Sequence, residues 1–387
     1  MQVGQDSPFA AERVGVTSET TTPTPTAESL VGPASANNRE QPGVYFPPVG
    51  GGVASPGADA DDAYRERKVE VPEGPLVVEL RNVSKHFGKV HALSNLNILA
   101  PEGRITVLLG PNGAGKTTAI RIITGALTPN RGHVRTFGLD PEREGEEVRS
   151  RIGIVSAKPA LYDRLSGWDN LQYSAELYGL GRNATKQIRE AAGRFGIVEA
   201  LDQQVGGYST GMKTRLALSR SVLHNPDLLL FDEPTSGLDP ESSHAVLELI
   251  REMTSDGRTV VMCTHLLVEA EGLADQIVVL EAGADLMSGS QDALIRRYWP
   301  NDLVRIDATD REALDLVRDL AGVVRYERGT THADVSLDSF DRVPDLVAHL
   351  TEAGVRLTRV EPHHPTLEEL YFAVRRERRS LGVSTPL

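Results

Sequence analysis

The stretch RITVLLGPNGAGKTTAI, residues 104–120, runs from a short apolar segment through a glycine-rich turn into a helix-forming sequence. Its middle, GPNGAGKT at 110–117, matches the pattern G-x-x-x-x-G-K-[ST]. Gly110, Gly113 and Gly115 let the backbone curl so that successive N–H groups point at phosphate oxygens. Pro111, Asn112 and Ala114 complete the loop, and Thr118 follows it on the helix. Lys116 is placed to neutralise β- and γ-phosphate oxygens, and the Thr117 hydroxyl is a candidate Mg²⁺ ligand. A chance match is uncommon, and a buried strand before the loop with a helix after it makes it rarer still.

A second element of such a site is LLLFDEP, residues 228–234. Four apolar residues in a row suit a central strand buried on both faces. Asp232 at the strand end is a candidate to hold Mg²⁺ through water, and Glu233 follows where a water would attack a γ-phosphate. Two carboxylates before Pro234 would also suit a simple turn, and the nearby phosphate loop weighs against that reading. Open α/β sheets bind ligands at the carboxyl ends of their strands.

Working outward, LVVELRNVSKHF reads as a strand, KTTAIRIITGAL (116–127) as a helix, and IGIVS (152–156), TVVMCTH (259–265) and QIVVLEAG (276–283) as further short apolar runs. The alternation predicts a mainly parallel sheet covered by helices over 76–300. Residues 167–225 lack strong strands and read as a helical insertion. Within it, Trp168, Leu171, Ala175 and Tyr178 have helical spacing, which favours a core role over an interface. The run 208–223, YSTGMKTRLALSRSVL, opens a helix whose start is a second place for an anion, because free N–H groups and the dipole point outward there.

Residues 302–387 read β-α-β-β-α-β followed by a final helix, the split βαβ pattern of a small ferredoxin-like α+β domain. Arginines 375, 376, 378 and 379 are most simply a solvated helix end, with lipid headgroups the sharper alternative. Residues 1–73 are rich in Thr, Pro, Gly, Ser and Ala and read as a disordered tail.

Acidic residues outnumber basic ones, 54 to 41, for a formal charge of −13, which disfavours a general nucleic-acid binder. A single cysteine, Cys263, excludes an internal disulfide. No stretch reaches the 18 apolar residues of a membrane span, and the N-terminus lacks the apolar core of a secretory signal, so a membrane role requires a separate partner.

The ordered set GPNGAGKTT, YSTGM, LLLFDEPTSGLDP and a histidine after TVVMCT resembles the ATP-binding subunits of ABC transporters over roughly 76–300. The resemblance implies a P-loop ABC ATPase fold, with a β subdomain and a helical subdomain at about 167–225. It implies ATP and Mg²⁺ as cofactors. It implies Glu233 as catalytic base, His265 as the switch histidine that contacts the γ-phosphate, and SGLD (236–239), with Asp239, as the D-loop. It also implies that Phe87 stacks on adenine. Read alone, His265 suits a structural role and Phe87 a strand-end hydrophobe.

In that family two subunits meet head to tail, so Ser209 and Gly211 of YSTGM are expected to meet the γ-phosphate of a nucleotide held by another molecule. The second subunit is either a copy of this chain or a different one. Thr210 replaces the usual middle glycine and Met212 ends the motif, a form that resembles exporters of drugs, lipids, polysaccharides or sodium of the ABC-2 type. Ala157 stands where the family usually has a glutamine that ligates Mg²⁺ and senses the membrane partner. The implied function is an ATPase subunit, peripheral on the cytoplasmic face of the cell membrane, that drives a separate integral-membrane permease for export. The rivals are a soluble ABC ATPase acting on ribosomes or DNA, and an ATP-sensing regulator without turnover.

Overall fold

A computed structural model of the chain describes residues 72–310, 312–329 and 332–380. The expected tail lies outside the described residues except for its last two positions.

Up to residue 289 the described strands are β1 (Leu76–Phe87), β2 (Val90–Pro101), β3 (Ile105–Leu109), β4 (Arg131–Thr136), β5 (Ile152–Val155), β6 (Leu228–Asp232), β7 (Thr259–Thr264), β8 (Gln276–Glu281) and β9 (Ala284–Gly289). They form two sheets. One is antiparallel with order β2-β1-β4; the other has order β5-β6-β7-β3-β8-β9. In the second, all neighbours are parallel except β8 and β9.

The apolar runs are continuous because both faces of this larger sheet are covered. Along β6, Leu228 and Leu230 enter one core while Leu229 and Phe231 enter the other. Along β7, Val260 and Met262 separate from Val261 and Cys263 in the same way. The period-2 alternation of a strand thus splits one sequence run between two cores. Each fully buried side chain of this size contributes about 1.5–3 kcal/mol. The core of Leu229 and Phe231 is closed by Val246, Ile250 and Met253 of the helix Pro240–Ser255, that of Leu228 and Leu230 by Ala119, Ile120 and Ile123 of the helix Lys116–Ile123 and by the antiparallel sheet.

The phosphate-loop helix is shorter than KTTAIRIITGAL predicts. It ends at Ile123, and Gly125 follows with φ +69° and with Pro141 O packed against its Cα, where a side chain would collide.

Residues 167–225 carry the helices Gly167–Leu177, Ala184–Arg194 and Thr210–Val222 around their own core of Leu171, Ala175, Ile188, Ala192 and Leu216. Trp168 packs against this core, Leu171 and Ala175 are inside it, and Tyr178 emerges from it to stack on His224 with ring centroids 3.7 Å apart. Ser166 and Asp169 form a reciprocal capping box at the start of the first helix.

Beyond 300, β10 (Asp302–Ala308), β11 (Val323–Arg328), β12 (Ala333–Leu337) and β13 (Leu357–Pro362) form a sheet of order β11-β12-β10-β13 whose neighbours are all antiparallel. The first crossover, Glu312–Asp319, is a 3₁₀ helix rather than the α-helix the sequence predicts. Its buried residues, Leu314 and Val317, are three apart, the repeat of a 3₁₀ turn. The second crossover contains the α-helix Val343–Glu352.

The final helix, Leu367–Ser380, places Leu367, Leu370, Ala373 and Val374 in the same core as Val246, Ile250 and β6, so it packs on the larger sheet. Arg375 pairs with the buried Glu281 at 3.1 Å and pins this helix to β8. Among the described residues no helix is long and apolar enough to cross a membrane.

Candidate functional site

The strand ends of β3 and β6 bring the two sequence motifs together. Gly110 leaves β3 with its N–H on the carbonyl of Thr264 at the end of β7 (3.2 Å). A Cβ at Gly110 would lie 2.3 Å from Leu280 O, so no side chain fits between the loop and β8. Gly115 caps the helix Lys116–Ile123 at φ 105°, with no side chain bonded to the first helical N–H groups. Those donors and the positive end of the helix therefore face the loop's cavity, as an anion site requires.

That cavity, about 380 Å³, is lined by Asn112, Gly113, Ala114, Gly115, Lys116, Thr117 and Thr118, with Asp232 and Glu233 from the other motif and Ala157 from the loop after β5. Gly110 and Pro111 sit behind it, and their carbonyls accept from the Lys116 ammonium at 2.6 and 3.2 Å. Thr117 Oγ1 donates to Asp232 Oδ2 at 2.7 Å. Glu233 Oε1 lies 3.3 Å from Lys116 Nζ and 3.3 Å from His265 Nδ1. Glu233 itself is a non-glycine residue at φ 52°, held by its N–H on the carbonyl of Cys263 (2.9 Å). Backbone held in the left-handed region costs of order 1–3 kcal/mol and clusters at functional sites. The arrangement puts a cation, a carboxylate and an imidazole around one point at the cavity edge, the equipment for positioning a phosphate and polarising a water beside it.

The remaining sequence-predicted residues stand apart from this cavity. Phe87 ends β1 half-exposed, with Lys85 Nζ 5.3 Å from its ring centroid. Val90, His91 and Ala92 line the cavity from β2, a strand that the search for apolar runs passes over. Ser209 is the N-cap of the helix Thr210–Val222, and its Oγ accepts from Met212 N at 3.2 Å. Thr210 is the first helical residue, so replacing the usual glycine leaves the backbone N–H in place and in a right-handed conformation. A Cβ on Gly211 would meet Ser242 Oγ at 3.7 Å and one on Gly237 would meet Thr210 Cγ2 at 3.9 Å, which sets the start of this helix against the SGLD segment and the helix after it. Asp239 caps the helix Pro240–Ser255, accepting from Ser242 N at 2.9 Å and Ser242 Oγ at 2.7 Å. Those two bonds hold its carboxyl below the usual range.

A P-loop ATPase is what this sheet order and site define. The model of the ABC transporter family matches residues 93–236. The chain is 35% identical over 233 residues to the ABC transporter ATP-binding protein NatA of Bacillus subtilis (strain 168), covering 59% of this chain and 95% of that protein. It is 35% identical over 302 residues to the daunorubicin resistance ATP-binding protein DrrA3 of Streptomyces coeruleorubidus, covering 76% and 94%. Among solved structures it is similar to a dimeric ATP-binding cassette in a post-hydrolysis state bound to ADP and Pi, at 27% identity and TM-score 0.50, covering 55% of this chain and 98% of that one. The chain belongs to the ABC transporter ATP-binding proteins, and it binds and hydrolyses ATP.

Proposed function

We propose that this chain is the ATP-driven subunit of an exporter, closing with a second ATP-binding subunit around shared nucleotides and driving a separate integral-membrane permease from the cytoplasmic face of the membrane. The observation that carries the hydrolytic part is the position of Glu233 Oε1, 3.3 Å from both Lys116 Nζ and His265 Nδ1 at the edge of the phosphate-loop cavity. In this reading the backbone of residues 110–118 and Lys116 hold the phosphates, Glu233 is the general base, and His265 contacts the γ-phosphate. Phe87 stacks on the adenine. Thr117 and Asp232 fit Mg²⁺, because their oxygens already lie 2.7 Å apart at the cavity wall and Mg²⁺ selects hard oxygen ligands. When bound, the ion would draw charge from the β- and γ-phosphates.

The shared arrangement is supported by what the YSTGM helix lacks in its own subunit. Ser209 and Gly211 do not line the cavity that holds Lys116, so an anion at this helix start comes from elsewhere. Asp239 holds Ser242, whose Oγ lies near Gly211, which supports a role for it at the same junction.

For the permease we assign a second cavity, about 540 Å³, lined in part by Ile154, Tyr162, Tyr173, Leu177, Tyr178 and Arg220. It opens between β5 and the helix Gly167–Leu177, next to the loop that carries Ala157 at the nucleotide cavity, which supports a contact that reports on the nucleotide. Export is the reading favoured by relatives named for daunorubicin resistance and Nod factor export. The net charge of −13 supports a protein rather than a nucleic-acid partner.

The test is ATPase turnover of the purified chain, alone and reconstituted in vesicles with the membrane protein recovered by crosslinking. Turnover that responds to the membrane protein supports the reading. Turnover indifferent to every membrane fraction supports a soluble ATPase instead.

A further inference from the structure

Glu269 lies in the short helix Leu267–Glu271 and does not line the nucleotide cavity. It is buried, with 7% of its surface exposed, and among the described residues no cationic side chain pairs with it. Its two oxygens instead go to two different loops. Thr235 Oγ1 donates to Oε1 at 2.5 Å, and Thr264 Oγ1 donates to Oε2 at 2.5 Å. The direction at Thr264 is set by a third bond, since its Oγ1 accepts the Leu266 N–H at 3.1 Å and so turns its own proton towards Glu269.

Thr235 stands two residues after Glu233, and Thr264 immediately before His265. The carbonyl of Thr264 also accepts the Gly110 N–H that opens the phosphate loop. One buried carboxylate therefore ties together the exits of β6, β7 and β3. Burying a carboxylate is costly unless its oxygens are bonded, and a bare apolar side chain would pack here without that cost. What the carboxylate adds is a fixed distance between two loops.

We propose that Glu269 is a positioning residue for ATP hydrolysis, a clamp that sets Glu233 and His265 relative to each other and to the phosphate loop; this rests on the assignment of those two residues to the hydrolytic step. It touches neither nucleotide nor attacking water and acts only through Thr235 and Thr264. The clamp matters for turnover because displacement of a catalytic group by about 1 Å can cost 10²-fold in rate.

The experiment compares Mg-ATP turnover and ATP affinity by calorimetry for full-length Glu269→Ala, Glu269→Gln, the double variant Thr235→Val/Thr264→Val, Glu233→Gln, and Glu233→Gln combined with Glu269→Ala. Glu269→Ala lowers kcat by roughly 10–100-fold. KM and ATP affinity stay within roughly threefold, as for a group that acts in the transition state alone. Glu269→Gln recovers part of the rate, because its carbonyl still accepts from Thr264 while its amide donates to the Thr235 hydroxyl. The double threonine variant reproduces the loss, which keeps the test valid if Glu269→Ala fails to fold. In the Glu233→Gln background, single-turnover rates show a smaller loss on adding Glu269→Ala than in wild type, because only His265 remains to be displaced, and a loss as large as in wild type overturns the clamp.

Wild-type kcat in Glu269→Ala or in the double threonine variant, while Glu233→Gln is slow, overturns the clamp and leaves the assignment of Glu233 intact. Loss of kcat and affinity together assigns Glu269 to folding alone and overturns it as well. Wild-type turnover in Glu233→Gln removes the assignment beneath the proposal and the proposal with it.

Discussion

Lys116 and Glu233 are 117 positions apart in sequence, and their side chains meet at 3.3 Å beside the phosphate loop. Lys116 is almost wholly buried, and its other bonds go to the carbonyls of Gly110 and Pro111. The ammonium is thus held against the loop, and the carboxylate beside it is held at the end of β6. Little side-chain ordering remains for ATP to impose, which is how a preorganised electrostatic site saves affinity.

Lys116→Ala removes the charged donor and leaves the rest of the loop backbone as it is. A hydrogen bond to a charged group contributes about 1.5–3 kcal/mol, so Mg-ATP affinity is expected to fall by about 10–150-fold. Isothermal calorimetry reads this directly. An unchanged affinity would contradict the role of this loop in phosphate binding.

Leu370→Ala tests the docking of the final helix. Leu370 is fully buried in the core shared with Val246, Ile250 and Phe231. Large-to-small changes at such sites cost about 2–5 kcal/mol. Urea denaturation should show a lower midpoint, with ATP affinity of the folded protein unchanged. A loss below about 0.5 kcal/mol, the range of surface substitutions, would mean that the helix is peripheral to the core.

Ala157→Gln restores the residue type that related subunits usually carry. Ala157 is exposed at the cavity wall, so the longer side chain has room. Melting temperature and ATP affinity are expected to stay near wild type, with the stability change within about 0.5 kcal/mol. Coupling of turnover to the permease is expected to rise. Loss of folding or of ATP binding would show that the loop 156–161 is packed differently.

Much of the site was legible because its chemistry is local. GPNGAGKT and LLLFDEP are each a strand and a loop, and the residue types needed for phosphate and water sit within a few positions of one another. The strand β4 is not legible in the sequence for the opposite reason. It buries only Val134 and Thr136 of six residues, so it offers no apolar run to read. In the crossover Glu312–Asp319, Leu314 and Val317 are three apart, a spacing that suits 3.6 as well as 3.0 residues per turn, so the sequence does not choose between them. The final helix and Glu269 show the limit most clearly. Leu370 reads as one position of an amphipathic stripe, with nothing to say which core it fills. The sequence does not single out Glu269, and only the tertiary approach of Thr235 and Thr264 reveals it as buried and bonded.

The central claim is that two subunits share each ATP, and it is tested by the mass of the purified protein in Mg-ATP, measured by light scattering. Glu233→Gln removes the carboxylate proposed to polarise the attacking water, an expected loss of roughly 10²–10⁴ in rate, while Lys116, Thr117 and the loop should still bind ATP. The closed dimer should accumulate in this variant. Adding Ser209→Arg places a bulky side chain at the helix start proposed to meet the partner's nucleotide, so the double variant should bind ATP and remain a monomer. A double variant that doubles in mass as readily as Glu233→Gln alone would contradict the account.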